Sequence, residues 1–256
     1  MRQTDDLTDA ERTNEGSGTD GGFSRRSVLK SGAMAAGGLV FGTGVASANT
    51  DAIPSRIRDG FDRVIDVVEA GADDTGSESI VGVLESLRDR GRLQHGTLLY
   101  FPPGRYYVDR QFRMTGFENF GMYGDDATLV PANYHDMEGV HHKLFRLGVS
   151  YNPGSRLVVE NFTVDQTADE TGARVLDAAI SDRLEVRDIE VTGKHDSGAW
   201  GPLRTVITDP DGTGVVQRFT ARDGGEYAAN APHDKLWRGP SGIICNTYNK
   251  GRMTFR

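Results

Sequence analysis

The chain has 256 residues, with 37 acidic side chains against 29 basic ones and a formal net charge of −8. This negative balance disfavours nucleic acid, or another polyphosphate, as a partner held by bulk electrostatics. A single cysteine, Cys245, excludes an internal disulfide framework and a thiolate zinc cluster. The 33 glycines follow no Gly-X-Y period, which excludes a collagen-like chain and indicates many turns.

The choice among charged residues indicates adaptation to high salt. Only 5 lysines accompany 24 arginines, and 12 glutamates accompany 25 aspartates. Short, strongly hydrated carboxylates suit a protein that must stay soluble at about 1 M salt, where charges are screened beyond about 3 Å. We therefore expect a halophilic protein, the alternative being a mildly acidic mesophilic one.

The first 48 residues have the features of an export segment. Residues 1–22 are polar and acidic without apolar periodicity, which predicts disorder. The pair Arg25-Arg26 precedes an uncharged stretch, 31–48, that contains five glycines and ends in a small-x-small cleavage site. This arrangement resembles a twin-arginine signal peptide. The resemblance implies export to the cell surface or the extracellular space, with a mature domain, 49–256, that keeps no stable membrane insertion.

The mature chain begins with one predicted helix and continues as strands. Apolar residues recur at the helical period from Ser79 to Arg90, and Gly91 supplies a stop. No second helix of comparable strength follows. Short apolar or alternating runs predict strands at 97–101, 105–108, 120–123, 128–130, 144–147 and 157–164.

The strand pattern repeats along the chain. Two polar residues, an apolar one, a variable one and a second apolar one recur, with the first apolar residue at Phe120, Phe162, Ile189 and Phe219. The later intervals are 27 and 30 residues, and the first, of 42, leaves room for an insertion at about 131–154. A β-sandwich would pair its strands through hairpins every 8–12 residues or so. The long, similar intervals favour a solenoid of stacked β-rungs instead.

Three segments carry a family resemblance: 67–76, the Phe-Pro-Pro-Gly-Arg-Tyr-Tyr turn at 101–107, and 120–130. Together with the helix they resemble the opening of pectate lyase-like right-handed parallel β-helix proteins. The resemblance implies an all-β solenoid whose N-terminal helix caps the open end. That superfamily includes lyases, hydrolases, epimerases and inactive surface proteins, so the fold alone does not select an activity.

The last residues have the pattern of an unfinished rung. The run 251–256 matches 183–187, the start of an earlier rung. A solenoid needs a cap on its last edge. We therefore expect a chain that is truncated at this end or capped by oligomerisation.

Candidate catalytic residues lie where the aligned rungs end. The alignment stacks Asp165, Thr192 and Arg222 in one column at the rung ends and places Asp223 in the next column, with Lys194 and Asp196 just beyond. Carboxylate oxygens of this kind are predicted to bind Ca²⁺. Arg222 or Lys194 would then remove the proton α to a uronate carboxylate, whose acidity the metal raises, in a β-elimination. The alternative is that these charges only solvate exposed turns.

A Pro- and Gly-bounded loop carries the predicted substrate-binding residues, His233, Trp237 and Arg238. The pair Asp125-Asp126 is predicted to be structural, because adjacent strand residues face opposite ways. The sequence thus predicts an exported polysaccharide-active protein, a uronate lyase before a hydrolase. The alternative is a non-catalytic β-helix protein that binds glycans at the cell surface.

Overall fold

The computed structural model describes residues 50–137, 143–196, 201–226 and 242–256. The predicted disordered start and export segment at 1–48 lie outside the described residues, as do His233, Trp237 and Arg238. Within the described part, no helix combines the length and the apolar character needed to cross a membrane.

The described chain is mostly β-strand. A 3-10 turn at Thr50–Ala52 precedes helix α1 (Ser55–Arg58), and helix α2 (Val81–Asp89) follows the second strand. The strands are β1 (Arg63–Asp66), β2 (Thr75–Ser79), β3 (Thr97–Phe101), β4 (Gly104–Val108), β5 (Phe112–Met114), β6 (Asn119–Pro131), β7 (Lys143–Leu147), β8 (Gly154–Asp165), β9 (Arg174–Thr192), β10 (Leu203–Ile207), β11 (Thr213–Ala221), β12 (Ile243–Cys245) and β13 (Arg252–Phe255).

The strands pair in parallel and form three ladders within one curled sheet. Ladder 1 joins β1, β3 and β13 with the first parts of β6, β8 and β11 and the middle of β9. Ladder 2 joins β2 and β4 with the last parts of β6, β8, β9 and β11. Ladder 3 joins β5, β7, the first part of β9, β10 and β12. From β3 onward the chain passes ladders 1, 2 and 3 in that order and then returns to ladder 1; we call one such passage a circuit.

The apolar side chains of the three ladders meet in a common core. The ring of Phe101 contacts that of Phe162 at 5.2 Å between centroids, and Phe112 contacts Phe145 at 6.4 Å. An interior void bordered by Phe145, Phe162 and Ile189 has a volume of only about 10 Å³. That is at the lower limit for one water molecule, so side chains fill the interior at this point.

The two helices pack against different parts of this sheet. Helix α2 connects ladder 2 back to ladder 1 in the first circuit, buries Val81 and Leu84, and packs against β5. Helix α1 lies on the outer face of ladder 1, where Ile57 joins Leu98 and other side chains in a second apolar cluster. The sequence does not reveal this helix, because four residues are too few to display a helical period.

Most of the predicted local structure is confirmed. The strand at 97–101 has the predicted bounds, and the helix predicted from Ser79 to Arg90 is Val81–Asp89. Gly91 has a φ of +67°, a conformation that favours glycine and ends the helix.

The repeat alignment is confirmed from the second unit onward but is wrong for the first. Phe162 lies opposite Ile189, and Ile189 lies opposite Phe219, as predicted. Phe120, however, lies on ladder 1 opposite Leu157, and the residue opposite Phe162 is Ala127. The polar-polar-apolar pattern occurs on both ladders, because both bury alternate residues, so the pattern alone did not distinguish them.

The match between the chain end and an earlier rung is also confirmed. Thr213 pairs with Arg183 on one side and with Arg252 on the other. Strand β13 therefore occupies the predicted register on ladder 1.

A column of left-handed residues turns the chain from ladder 1 to ladder 2. Asp126, Asn161, Asp188 and Arg218 have φ values of 50°, 66°, 52° and 53°. Non-glycine residues adopt this conformation rarely, and Asn and Asp do so most readily. The Asn161 side-chain amide stabilises the turn by donating to the Gly124 carbonyl at 2.6 Å. We call this column the left-handed corner.

Candidate functional site

Asp165 ends its strand on ladder 2 opposite Thr192, as the rung alignment predicted. Its carboxylate accepts a hydrogen bond from the Thr167 hydroxyl at 2.6 Å and forms an ion pair with Arg105 at 2.8 Å. The Thr167 hydroxyl, followed by the Arg105 guanidinium, lowers the pKa of Asp165 below its usual value. The carboxylate is therefore ionised and already held by protein donors.

Asp196 and Asp223 each hold a different stretch of loop backbone. Asp223 accepts from the Gly193 amide at 2.7 Å. Asp196 accepts from the amides of Glu170 at 2.5 Å and Gly172 at 2.9 Å, and its partial burial raises its pKa. Both carboxylates thus fix the turns that join ladder 2 to ladder 3.

The two candidate bases differ in their surroundings. The Lys194 ammonium is ion-paired with Glu226. Arg222 is exposed at the end of β11 and forms no hydrogen bond or ion pair with a described residue. Of the two, Arg222 is the side chain that a polymer could reach without breaking an existing contact.

The predicted Ca²⁺ ligands are not gathered at one point. Among the described residues, no group of three or more His, Cys, Asp or Glu side chains is arranged to hold a metal ion. Asp165, Asp196 and Asp223 bond to different partners, as described above. Ca²⁺ binding therefore stays a prediction.

The densest group of buried charges lies on ladder 3 and was not predicted. It consists of Lys143 on β7, Arg174 and Asp177 on β9, and Arg204 on β10; we call it the ladder 3 charge cluster. The strand register places Lys143 opposite Arg174 and Asp177 opposite Arg204. Because neighbouring strands lie about 4.8 Å apart, this register brings the four side chains within reach of one another.

Three cations contact the single carboxylate of this cluster. The Lys143 Nζ lies 3.0 Å from Asp177 Oδ2, and one guanidinium nitrogen of Arg174 lies 3.3 Å from the same oxygen. Arg204 contacts both Asp177 oxygens at 3.3 Å. The Arg174 side chain is fully buried, and its Nε donates to the Gly201 carbonyl. Arg204, with 22% of its side chain exposed, is the most accessible member.

Burial and mutual charge shift the pKa of each group. Burial by itself would raise the pKa of Asp177, but Lys143, Arg204 and Arg174 outweigh it and hold the pKa at about 2. Burial lowers the pKa of Lys143 to about 8. The nearby Asp177 carboxylate raises this pKa, and the Arg146 guanidinium lowers it further. Burial also lowers the pKa of Arg174 to about 10.

These shifts give the cluster two chemical capacities. Guanidinium groups in a poorly hydrated site bind a carboxylate through charge-assisted hydrogen bonds. A lysine with a pKa of about 8 is partly neutral near physiological pH and can accept a proton. Shifted groups of this kind concentrate at functional sites, although structural ion-pair networks also produce them.

The sequence did contain a signal for this cluster. Asp177 stands between Leu176 and Ala178 within the apolar run 175–180, where an isolated charge demands a partner. The site residues predicted from the sequence lie at rung ends and in a loop, and not inside strands. The register that joins Lys143 and Arg204 to Asp177 depends on loop lengths that the sequence did not reveal.

Comparison with protein-family models, curated proteins and solved structures finds no match for this chain. The function is therefore inferred from the residues themselves and from the resemblance that their motifs carry.

Proposed function

We propose that the mature chain is a right-handed parallel β-helix. The repeated passage through ladders 1, 2 and 3 with parallel pairing throughout supports this architecture. Right-handedness follows from the strong preference of parallel strand connections for that hand. A solenoid presents long outer faces on which an extended polymer can lie across several circuits.

We propose further that this protein is exported and acts on a polysaccharide that contains uronic acids. One observation carries the proposal: Lys143, Arg174 and Arg204 converge on one carboxylate on the outer face of ladder 3. A substrate carboxylate can compete with Asp177 for Arg204, the most exposed cation of the cluster. The site favours an anion because the Arg204 guanidinium keeps 22% of its side chain exposed and its charge is permanent.

The same arrangement suits β-elimination. With the uronate carboxylate bound to Arg204, the negative charge that develops on removal of the α-proton is stabilised. Neutral Lys143 accepts that proton, the electron pair forms a C4=C5 double bond, and the C4–O bond breaks. The Lys143 ammonium then returns the proton to the leaving oxygen. The candidates predicted from the sequence remain as alternatives. Arg222 on ladder 2 would be the base, and a bound Ca²⁺ would neutralise the substrate carboxylate.

The test measures binding and product with the mature protein in high salt. Polygalacturonate and alginate are offered with and without Ca²⁺, binding is followed by affinity electrophoresis, and elimination by the ultraviolet absorbance of the unsaturated product. Arg204→Gln is expected to weaken binding about tenfold, the effect of losing about 1.4 kcal/mol of charge-assisted bonding. Because elimination needs neutral Lys143, its rate should rise as the pH increases through about 8.

The possible results distinguish a uronate lyase from a non-catalytic glycan-binding protein. Absorbing product whose formation Lys143→Met abolishes supports the lyase. Binding that Arg204→Gln weakens, without product, supports the non-catalytic glycan-binding alternative. Arg252→Gln is the matched control, since it removes an exposed guanidinium on ladder 1. Failure of the parent protein to bind either polymer contradicts both functions.

The proposed export has its own test. Replacing Arg25 and Arg26 together with lysine should leave uncleaved precursor in the cytoplasm, because the paired guanidinium signal is lost. Immunoblots of cell and culture fractions provide the measurement. Undiminished secretion of the double variant would contradict the twin-arginine assignment.

A further inference from the structure

A second polar surface lies on the outer face of ladder 2, away from the core. It is separate from the ladder 3 charge cluster. It is a groove of about 310 Å³ along the left-handed corner. Its lining includes the polar corner residues, the outer-face residues Thr163, Glu190, Thr220 and Arg222, and parts of Ala127, Phe162 and Ile189. We call it the corner groove.

The lining repeats from circuit to circuit. Thr163 lies opposite Glu190, and Glu190 lies opposite Thr220, so one column offers a hydroxyl, a carboxylate and a second hydroxyl. The corner residues form a parallel column beside it. With strands about 4.8 Å apart, both columns present hydrogen-bonding groups at a regular spacing along the groove.

The charges of the groove nearly balance. Arg218 forms a two-pronged ion pair with Asp188, and this pairing lowers the pKa of Asp188. The remaining charges are the exposed Asp126 and Glu190 and the single cation Arg222. A polyanion would meet two unpaired carboxylates here, in contrast to the cationic cluster on ladder 3.

We propose that the corner groove is a second glycan site, and that it binds an uncharged polysaccharide. A repeating, nearly neutral row of donors and acceptors fits a repeating chain of hydroxyl groups. Glu190 can accept two sugar hydroxyls, while Thr163 and Thr220 on either side can donate or accept. The two faces of one protein would then hold polymers of different charge.

The proposal predicts a distinctive salt dependence. Hydrogen bonds between neutral hydroxyls and the groove do not depend on long-range attraction, so affinity should change less than twofold as NaCl is raised. Binding of a polyuronate to the ladder 3 charge cluster should weaken over the same range, because salt screens the attraction between charges.

The experiment offers three neutral polymers, a β-1,3-glucan, a galactomannan and a dextran, to the mature protein. Retarded migration in affinity gels is expected with at least one polymer, and calorimetry at low and high NaCl then gives the affinity. Glu190→Gln should weaken that binding at least fivefold and leave polyuronate binding unchanged. Glu69→Gln, at an exposed site away from the groove, is the matched control and should have no effect.

A melting curve of each variant establishes that it is folded. Thr220→Val provides a second variant, which removes a hydroxyl without changing charge or shape. Three results overturn the proposal: no retardation by any of the three polymers, equal affinity in the Glu190→Gln and parent proteins, or affinity that falls steeply with salt. Because Arg204 is untouched in these variants, the outcome is independent of the uronate proposal.

Discussion

Asp177→Asn is expected to lower the free energy of unfolding by about 3–5 kcal/mol, the usual cost of removing one partner from a buried ion pair. Asp177 is 4% exposed and is contacted by Lys143, Arg174 and Arg204. The amide cannot neutralise these cations, and their repulsion remains in a poorly hydrated site. Urea unfolding followed by circular dichroism at pH 7 measures the change.

The pH dependence of the variant gives a second readout. Burial already lowers the pKa of Lys143 to about 8, whereas an unfolded lysine has a pKa of about 10.4. The unfolded chain therefore binds more protons in this window, and stability should rise with pH between these values, more so without Asp177. Asp182→Asn, at an exposed site, is the control. Equal stability of Asp177→Asn and Asp182→Asn would show that the cluster is not buried as described.

Ile189→Asp is expected to cost about 4–5 kcal/mol or more, enough to unfold a domain of ordinary stability. Ile189 is 2% exposed, borders the small interior void and pairs with Phe162 and Phe219 on ladder 2. A carboxyl group there would lose its hydration without gaining a partner, and the apolar contacts of isoleucine would be lost as well. Thermal melting and the yield of folded protein provide the measurement.

The matched control introduces the same group on the outer face of ladder 2. Thr128 is half-buried between the inward residues Ala127 and Leu129 and lies opposite Arg105. Thr128→Asp should therefore change stability by no more than about 0.5 kcal/mol, as most surface substitutions do. If Ile189→Asp melts with the parent protein, the inward register of ladder 2 is wrong.

Local structure was predictable because it depends on patterns within a few residues. The helix at Val81–Asp89 and the strand at Thr97–Phe101 follow from apolar periodicity and from the glycine and proline residues that bound them. The stacking of Phe162, Ile189 and Phe219 was predictable too, because their spacing is nearly constant. The alignment of Phe120 failed because ladders 1 and 2 bury residues with the same alternation.

Much less of the candidate site could be predicted from the sequence. Asp165, Asp196 and Asp223 looked like a metal site because they cluster at rung ends along the sequence. In the fold each carboxylate bonds to the nearest backbone amide or side-chain donor, since short loops bring such donors within 3 Å or so of an aspartate. The position of these aspartates at the rung ends therefore fits a role in holding the loops as well as it fits metal binding.

By itself, the sequence determined a turn-rich, acidic chain with helix α2 and parallel strands at repeated intervals, because alternation and spacing are local properties. The tertiary structure alone decided that Lys143 and Arg204, 61 residues apart in the chain, share Asp177. It also decided that Glu190 and Arg222 border one groove. Such neighbours depend on the register between circuits, and the loops that set this register differ in length from one circuit to the next.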